Sequence, residues 1–269
     1  MIPRRFCQRL VKRLFSSTQI GADRESPLLK YVDPTALVSS KELLRLGTVY
    51  GGWIVLANCG LSSDSVCYSA GAGEDISFDC ALAERFRCRI RIIDPTPRAI
   101  QHFDKLEKAV KSGERFPVNN SAVDYYTITA EDFGRLRFLP IGLADRDTEL
   151  KFFLPKNPAH VSCSTVNLQK TDEYFIAKCF CLSSIMRQQG DVSIDMLKID
   201  IEGAEYAVIE DMVASSLLPR LLLIEFDEIH TPLDSNASKR ISQSIERLLQ
   251  SGMRCAAVEG SNATFVRMS

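Results

Sequence analysis

Val66-Cys67-Tyr68-Ser69-Ala70-Gly71-Ala72-Gly73-Glu74-Asp75, followed by an apolar-striped segment and then by Arg91-Ile92-Ile93-Asp94, reads as strand, glycine turn, helix, second strand and terminal acid. An open α/β sheet holds the adenosine half of a cofactor on such a unit. Two closely spaced glycines let the backbone pass near a ligand that a Cβ would block. Asp94, at the end of the second strand, is placed to accept hydrogen bonds from both ribose hydroxyls, each worth about 1.5–3 kcal/mol when charge-assisted. A dinucleotide site also wants a third glycine so that the helix can approach the strand beneath a pyrophosphate. Here that position is Ile76, and Glu74 and Asp75 set carboxylates where phosphates need N–H groups and positive potential. A cofactor with a cationic end and no phosphate suits this turn, which points to S-adenosylmethionine (SAM).

Working outward, the chain alternates strand-like and helix-like pieces from about Leu28, as a mostly parallel sheet with helices on both faces requires. Strands are expected at Ser65 to Ser69, 89 to 94, Tyr125 to Ile128, Leu139 to Leu143, Met196 to Asp200 and Leu221 to Phe226. The later ones are nearly continuous apolar runs, the pattern of strands covered on both faces. Helices are expected at about Asp75 to Phe86, Pro97 to Lys111 and Ser238 to Gln250. The chain then reads as a hairpin, Cys255 to Val258 and Thr264 to Arg267 about a Gly260-Ser261-Asn262 turn. Residues 154–180, with Pro155, Asn157 and Pro158 near their start, interrupt the rhythm as an insertion over the carboxyl ends of the strands, where such sheets bind ligands. Its hydroxyls Ser162, Ser164 and Thr165 are candidates for lining an acceptor pocket.

A chain of 269 residues, 45% of them hydrophobic, fills one large core. The 33 basic and 34 acidic residues nearly cancel, so nucleic acid is not an indicated partner. No apolar run approaches the roughly 20 residues that span a bilayer. Nine cysteines, an odd number at irregular spacing, fit a reducing compartment. Residues 1–27 stand apart: Arg4, Arg5, Arg9, Lys12 and Arg13 precede the first acid, Asp23, and Phe6, Leu10, Leu14 and Phe15 recur at helical spacing. This basic amphipathic segment reads either as an organelle transit peptide or as a helix resting on the domain or on an anionic membrane surface. The matching location is cytoplasmic, or mitochondrial or otherwise organellar if the segment targets the chain.

The second chemistry-bearing stretch is Leu197-Lys198-Ile199-Asp200-Ile201-Glu202-Gly203-Ala204-Glu205. An apolar strand ends in Asp200, and two further acids follow as the chain turns into a helix. The helix dipole favours acids in a first turn by about 0.3–1 kcal/mol each, which accounts for Glu202 or Glu205 but not for Asp200 at the strand end. Asp200, Glu202, Glu205 and Glu225, the acid closing the next strand, are therefore the catalytic candidates.

Asp200-Ile201-Glu202-Gly203-Ala204-Glu205 resembles the D-x-E-G-x-E signature of the FkbM family of SAM-dependent methyltransferases. The resemblance extends to Tyr68 through Asp79, to Asp94-Pro95-Thr96-Pro97 and to Pro140-Ile141-Gly142-Leu143-Ala144, in the same order, and covers roughly residues 50 to 268. It implies a class I, Rossmann-like methyltransferase fold with a mostly parallel seven-stranded sheet closed by a C-terminal antiparallel hairpin. It also implies SAM as donor and a hydroxyl on a sugar, lipid or small metabolite as acceptor. Carried onto this chain, Ser69, Gly71, Gly73, Glu74, Asp75, Asp94 and Gly142 fall at cofactor-binding positions. Two departures stand out. Ser69 replaces an acid that in many members helps hold the methionyl ammonium, and the histidine expected shortly after Glu225 arrives only as His230. Three alternatives stay open: Asp200 with Glu202 or Glu225 binding Mg²⁺, a nicotinamide-dependent oxidoreductase, and a SAM-fold binding protein without chemistry.

Overall fold

A computed structural model describes residues 25–121, 123–155, 163–165 and 171–268. The basic segment 1–24, with its expected targeting role, and Ser162 lie outside the described residues. A hairpin of β1 (Leu43–Leu46) and β2 (Trp53–Leu56) leads into β3 (Val66–Ala70), α1 (Ser77–Phe86), β4 (Arg89–Ile93), α2 (Pro97–Ser112), a single turn α3 (Ala130–Phe133) and β5 (Leu136–Leu139). A second, three-stranded sheet follows from β6 (Gly142–Leu143), β7 (Thr148–Phe153) and β8 (Tyr174–Phe180). The chain then returns to the main sheet through α4 (Leu182–Gln189), β9 (Met196–Ile199), α5 (Glu205–Ala214), β10 (Leu221–Glu225), α6 (Ala237–Gln250), β11 (Met253–Glu259) and β12 (Asn262–Arg267).

The main sheet has seven strands in the order β11-β12-β10-β9-β3-β4-β5. Five run parallel, and β12 pairs antiparallel with both β10 and β11. This is the class I SAM methyltransferase arrangement with its closing hairpin. Strand order reverses between β3 and β9, and the crevice at their carboxyl ends is where such sheets bind ligands.

Local chemistry explains the elements. Every residue of β3 and of β9 is buried, because helices cover both faces. Tyr68, Leu197 and Ile199 pack with α4, α5 and α6, while Cys67 and Met196 pack with α1, α2 and the β1–β2 hairpin. Helix α2 starts at Pro97, with Thr96 capping Ala99 N, and stops at Gly113 in the left-handed region. Among the described residues no helix is long and apolar enough to cross a membrane.

Three expectations are corrected. Tyr125 to Ile128 is not a strand: Tyr125 makes a single bridge to Pro117, and the Tyr126 hydroxyl instead accepts Ile76 N at 3.0 Å at the start of α1. The third nucleotide-proximal strand is Leu136–Leu139 rather than Leu139 to Leu143. Pro140, lacking an N–H, ends it, and Gly142–Leu143 joins the small sheet. Within 154–180, residues 174–180 are a regular strand that pairs antiparallel with Thr148–Phe153, so the addition is a β-arm that begins at Gly142.

Candidate active site

The turn after β3 can exist only with glycine at its first position. Gly71 has φ +85°, and a Cβ there would sit 1.7 Å from the Asp200 carbonyl oxygen. Strands β3 and β9 therefore come together at this point without a side chain between them. Gly73 is also left-handed, at φ 53°. The backbone nitrogens this turn exposes are held by Asp94, which is buried. Its Oδ2 accepts Ala72 N at 2.8 Å and Gly73 N at 3.0 Å, while Oδ1 accepts Thr96 N at 2.8 Å and Thr96 Oγ1 at 2.6 Å. Asp94 thus ties the glycine turn to the cap of α2, and ribose hydroxyls would have to share or displace donors that the chain already supplies.

Glu74 and Asp75 are anchored as well. Arg98 Nη2 donates to Glu74 Oε2 at 2.5 Å. Asp75 accepts Thr48 Oγ1 at 2.7 Å and Ser77 N at 2.9 Å, and Gly51 packs so close that a Cβ would lie 2.5 Å from the Asp75 carboxyl carbon. The loop joining β1 to β2 is in this way locked to the glycine turn. It presents Tyr50, 72% exposed, at the mouth of a cavity of about 270 Å³.

That cavity brings together Gly71, Gly73, Glu74, Asp75, Asp94 and Gly142 from the expected cofactor set with Asp200, Glu202 and Glu225 from the expected catalytic set. Gly142 is required by packing, since its Cβ would fall 2.4 Å from Cys179 Sγ on β8. The β-arm adds Phe152, Cys163 and Thr165 to the wall. Ser164 donates to the Glu202 carbonyl at 2.6 Å, across from the arm, where Glu202 itself is left-handed at φ 57°.

Two expected residues are elsewhere. Ser69 is fully buried inside β3, beside Asp79 of α1. Glu205 turns back from the first position of α5 to accept Ile201 N at 3.0 Å and Gly203 N at 2.9 Å, so it braces the 201–204 turn from behind. Burial drives its carboxyl up to about 7, against the pull of those N–H groups. His230 is exposed and outside the cavity.

Sequence reasoning missed the residue at the centre. Lys198, buried in β9, donates to Gly71 O at 2.7 Å and to Asp200 Oδ2 at 3.0 Å, with its ammonium 5.2 Å from the Trp53 ring centroid. Burial pulls its ammonium down, but the Asp200 and Asp79 carboxylates outweigh that and hold it above its ordinary value. Glu225 accepts Ser261 Oγ at 2.8 Å, and burial, then the Asp200 charge, pushes its carboxyl up to about 8. Behind it, burial lifts Asp227 to about 10. Tyr50, Trp53 and Asn262 complete this end. Of these, Lys198 alone carried a signal, a charge in an otherwise apolar strand. Among the described residues no group of three or more His, Cys, Asp or Glu side chains converges as a metal site.

Residues 68–250 match the family model described as the Methyltransferase FkbM domain. Among solved structures the chain is similar to Aeropyrum pernix fibrillarin in complex with natively bound S-adenosyl-L-methionine. The identity is 12%, with 76% of this chain and 66% of that chain covered and a TM-score of 0.39. It is also similar to precorrin-6y C5,15-methyltransferase from Geobacter metallireducens, at 12% identity over 77% and 83% of the two chains and a TM-score of 0.37. An O-methyltransferase family protein from Burkholderia thailandensis matches at 12% identity, 76% and 51% coverage and a TM-score of 0.36. No curated protein sequence matches.

Proposed function

Since the chain belongs to the family of FkbM-domain methyltransferases and takes its methyl group from SAM, we propose that it methylates a hydroxyl oxygen of a sugar, lipid or small metabolite. The observation that carries the reading is the single cavity joining the glycine turn to Glu225, a carboxyl poised near neutral pH. A general base works best when its pKa lies near the working pH, and contributes about 10²–10⁴-fold.

The residues present suit SAM. At Gly71 the turn offers a cradle that a Cβ would fill. The lining carries six carboxylates, and among the described residues its one basic side chain is Lys198, already engaged by Gly71 O and Asp200. That donor set accepts cations and offers a pyrophosphate nothing, which disfavours a nicotinamide dinucleotide. Gly71, Gly73 and Asp94 would hold the adenosine part, with Gly142 beside it and Glu74 or Asp75 near the methionyl end. When bound, SAM supplies an already activated methyl group on a sulfonium.

The chain's own work is then positioning, which can be worth about 7–11 kcal/mol, and proton removal. Glu225 would take the hydroxyl proton, Asp200 and Glu202 would orient the acceptor, and Glu205 would hold the turn that carries Glu202. Tyr50 and Trp53 would keep water from the reacting end. Incubating the protein with a metabolite extract and isotopically labelled SAM, followed by mass spectrometry, tests the reading. Label should appear as a methyl ether, and label in a methyl ester, or on nitrogen or carbon, would refute the hydroxyl acceptor.

A further inference from the structure

Asp200 and Glu225 each directly follow one of the paired residues Ile199 and Ile224, so they sit side by side at the ends of the adjacent parallel strands β9 and β10, and both line the cavity. They are held in unlike ways. Asp200 Oδ2 receives the Lys198 ammonium at 3.0 Å, and that ammonium is fixed from its other side by the Gly71 carbonyl at 2.7 Å. Glu225 Oε1 receives a neutral donor, Ser261 Oγ, at 2.8 Å. Two adjacent, partly buried carboxyl groups beside one ammonium disfavour each other's ionisation. Because the lysine sits on Asp200, the cost falls on Glu225, whose carboxyl is raised.

The other groups around Glu225 reinforce this. Asp227 follows it on the same chain segment and is itself flanked by Glu202 and Glu205 from the turn and helix after β9, and the Tyr50 phenol comes from the β1–β2 loop. Asn262, on β12, is neutral. Among the described residues Lys198 is the one cation facing this cluster.

We propose that Glu225 keeps its proton until a sulfonium enters the cavity and then releases it to solvent, so that the base is armed only when the methyl donor is present. The inference rests on the SAM reading above. One O–H bond of the Glu225 carboxyl breaks, the proton leaves to buffer, and no electron changes hands. S-adenosylhomocysteine, with a neutral thioether, lacks the charge and leaves Glu225 protonated. Donor and demethylated product therefore bind with different proton counts.

Isothermal titration calorimetry at pH 7, in phosphate and in Tris, reads this directly, because the two buffers differ in ionisation enthalpy. SAM should release about one proton more than S-adenosylhomocysteine. In Glu225→Gln the difference should vanish while S-adenosylhomocysteine still binds, which also shows that the variant is folded. In Asp200→Asn, where Glu225 loses the charge that holds its proton, the difference should shrink. Equal proton counts for the two ligands in the parent protein, or a difference that survives Glu225→Gln, would overturn the proposal alone. Absence of binding by both ligands would overturn the donor assignment and the proposal with it.

Discussion

Gly71→Ala isolates the closest backbone approach in the site. An L-residue held at φ +85° costs about 1–2 kcal/mol. The new Cβ would also lie 1.7 Å from the Asp200 carbonyl oxygen, where C···O contacts rest at about 3.3 Å. That oxygen cannot swing away freely, since Asp200 N donates to Ala70 O at 3.1 Å and the Asp200 side chain is held by Lys198. Relief requires parting β3 from β9, an overpacking cost of about 1–3 kcal/mol. The total, about 2–5 kcal/mol, is a large share of a typical domain stability of about 5–15 kcal/mol. Gly113 supplies the control, because its φ of +72° is similar and nothing lies within 4 Å of its Cβ position. Urea unfolding should therefore show Gly71→Ala less stable than Gly113→Ala by about 1–3 kcal/mol, and calorimetry should show weakened SAM binding only in the former. Equal stabilities with unchanged SAM affinity would mean that the contact between strands is not what demands glycine at 71.

Three other outcomes follow from the same geometry. Asp94→Ala leaves four donors of the turn and helix cap without their acceptor, and SAM affinity should fall by more than about tenfold, or 1.4 kcal/mol; unchanged affinity would remove Asp94 from the site. Glu205→Ala never touches the cavity, yet it strands Ile201 N and Gly203 N at about 1–3 kcal/mol each, so both the urea midpoint and SAM affinity should drop, and an unshifted midpoint would refute the bracing role. The Glu228 carboxyl is held below its ordinary value, first by Arg240, which donates at 2.7 and 2.5 Å. A carboxylate with a depressed folded pKa stabilises above its unfolded pKa and loses that contribution as pH falls through the folded value. Glu228→Gln should thus lower stability at pH 7 by about 1.5–3 kcal/mol and flatten the decline on the acid side of pH 4.5; a parallel decline in both proteins would contradict this.

What the sequence made legible is what short-range pattern encodes. The strands β3, β4, β9 and β10 are apolar runs ending in a turn or an acid, so their ends, and with them Gly71, Asp94, Asp200 and Glu225, could be read off directly. Where the pattern misled, a longer-range partner decided. Tyr125 to Ile128 has strand-like composition, but the Tyr126 hydroxyl is committed to Ile76 N and to His102 Nε2 at 2.8 Å. The β1–β2 hairpin has strands of only four residues each, and it is fixed from the far end of the chain by Thr264 Oγ1 on Ile54 O at 2.7 Å and by the Arg45–Glu259 ion pair.

Two of the expected site residues diverged for the same reason. Ser69 and Glu205 sit beside reactive positions in sequence, but a mid-strand residue faces a covering helix, and a first-turn acid can fold back onto its own loop. Neither direction follows from spacing. Lys198 could have been found by a different question. A buried ammonium without partners would shed its proton or unfold its surroundings, so a lysine between Leu197 and Ile199 in a fully covered strand announces that a carboxylate and a carbonyl await it. The carboxylate was two residues away in the motif. The carbonyl belonged to Gly71, in the turn that follows the neighbouring strand. The residue that breaks the apolar pattern is therefore the one that joins the two halves of the motif into one cavity.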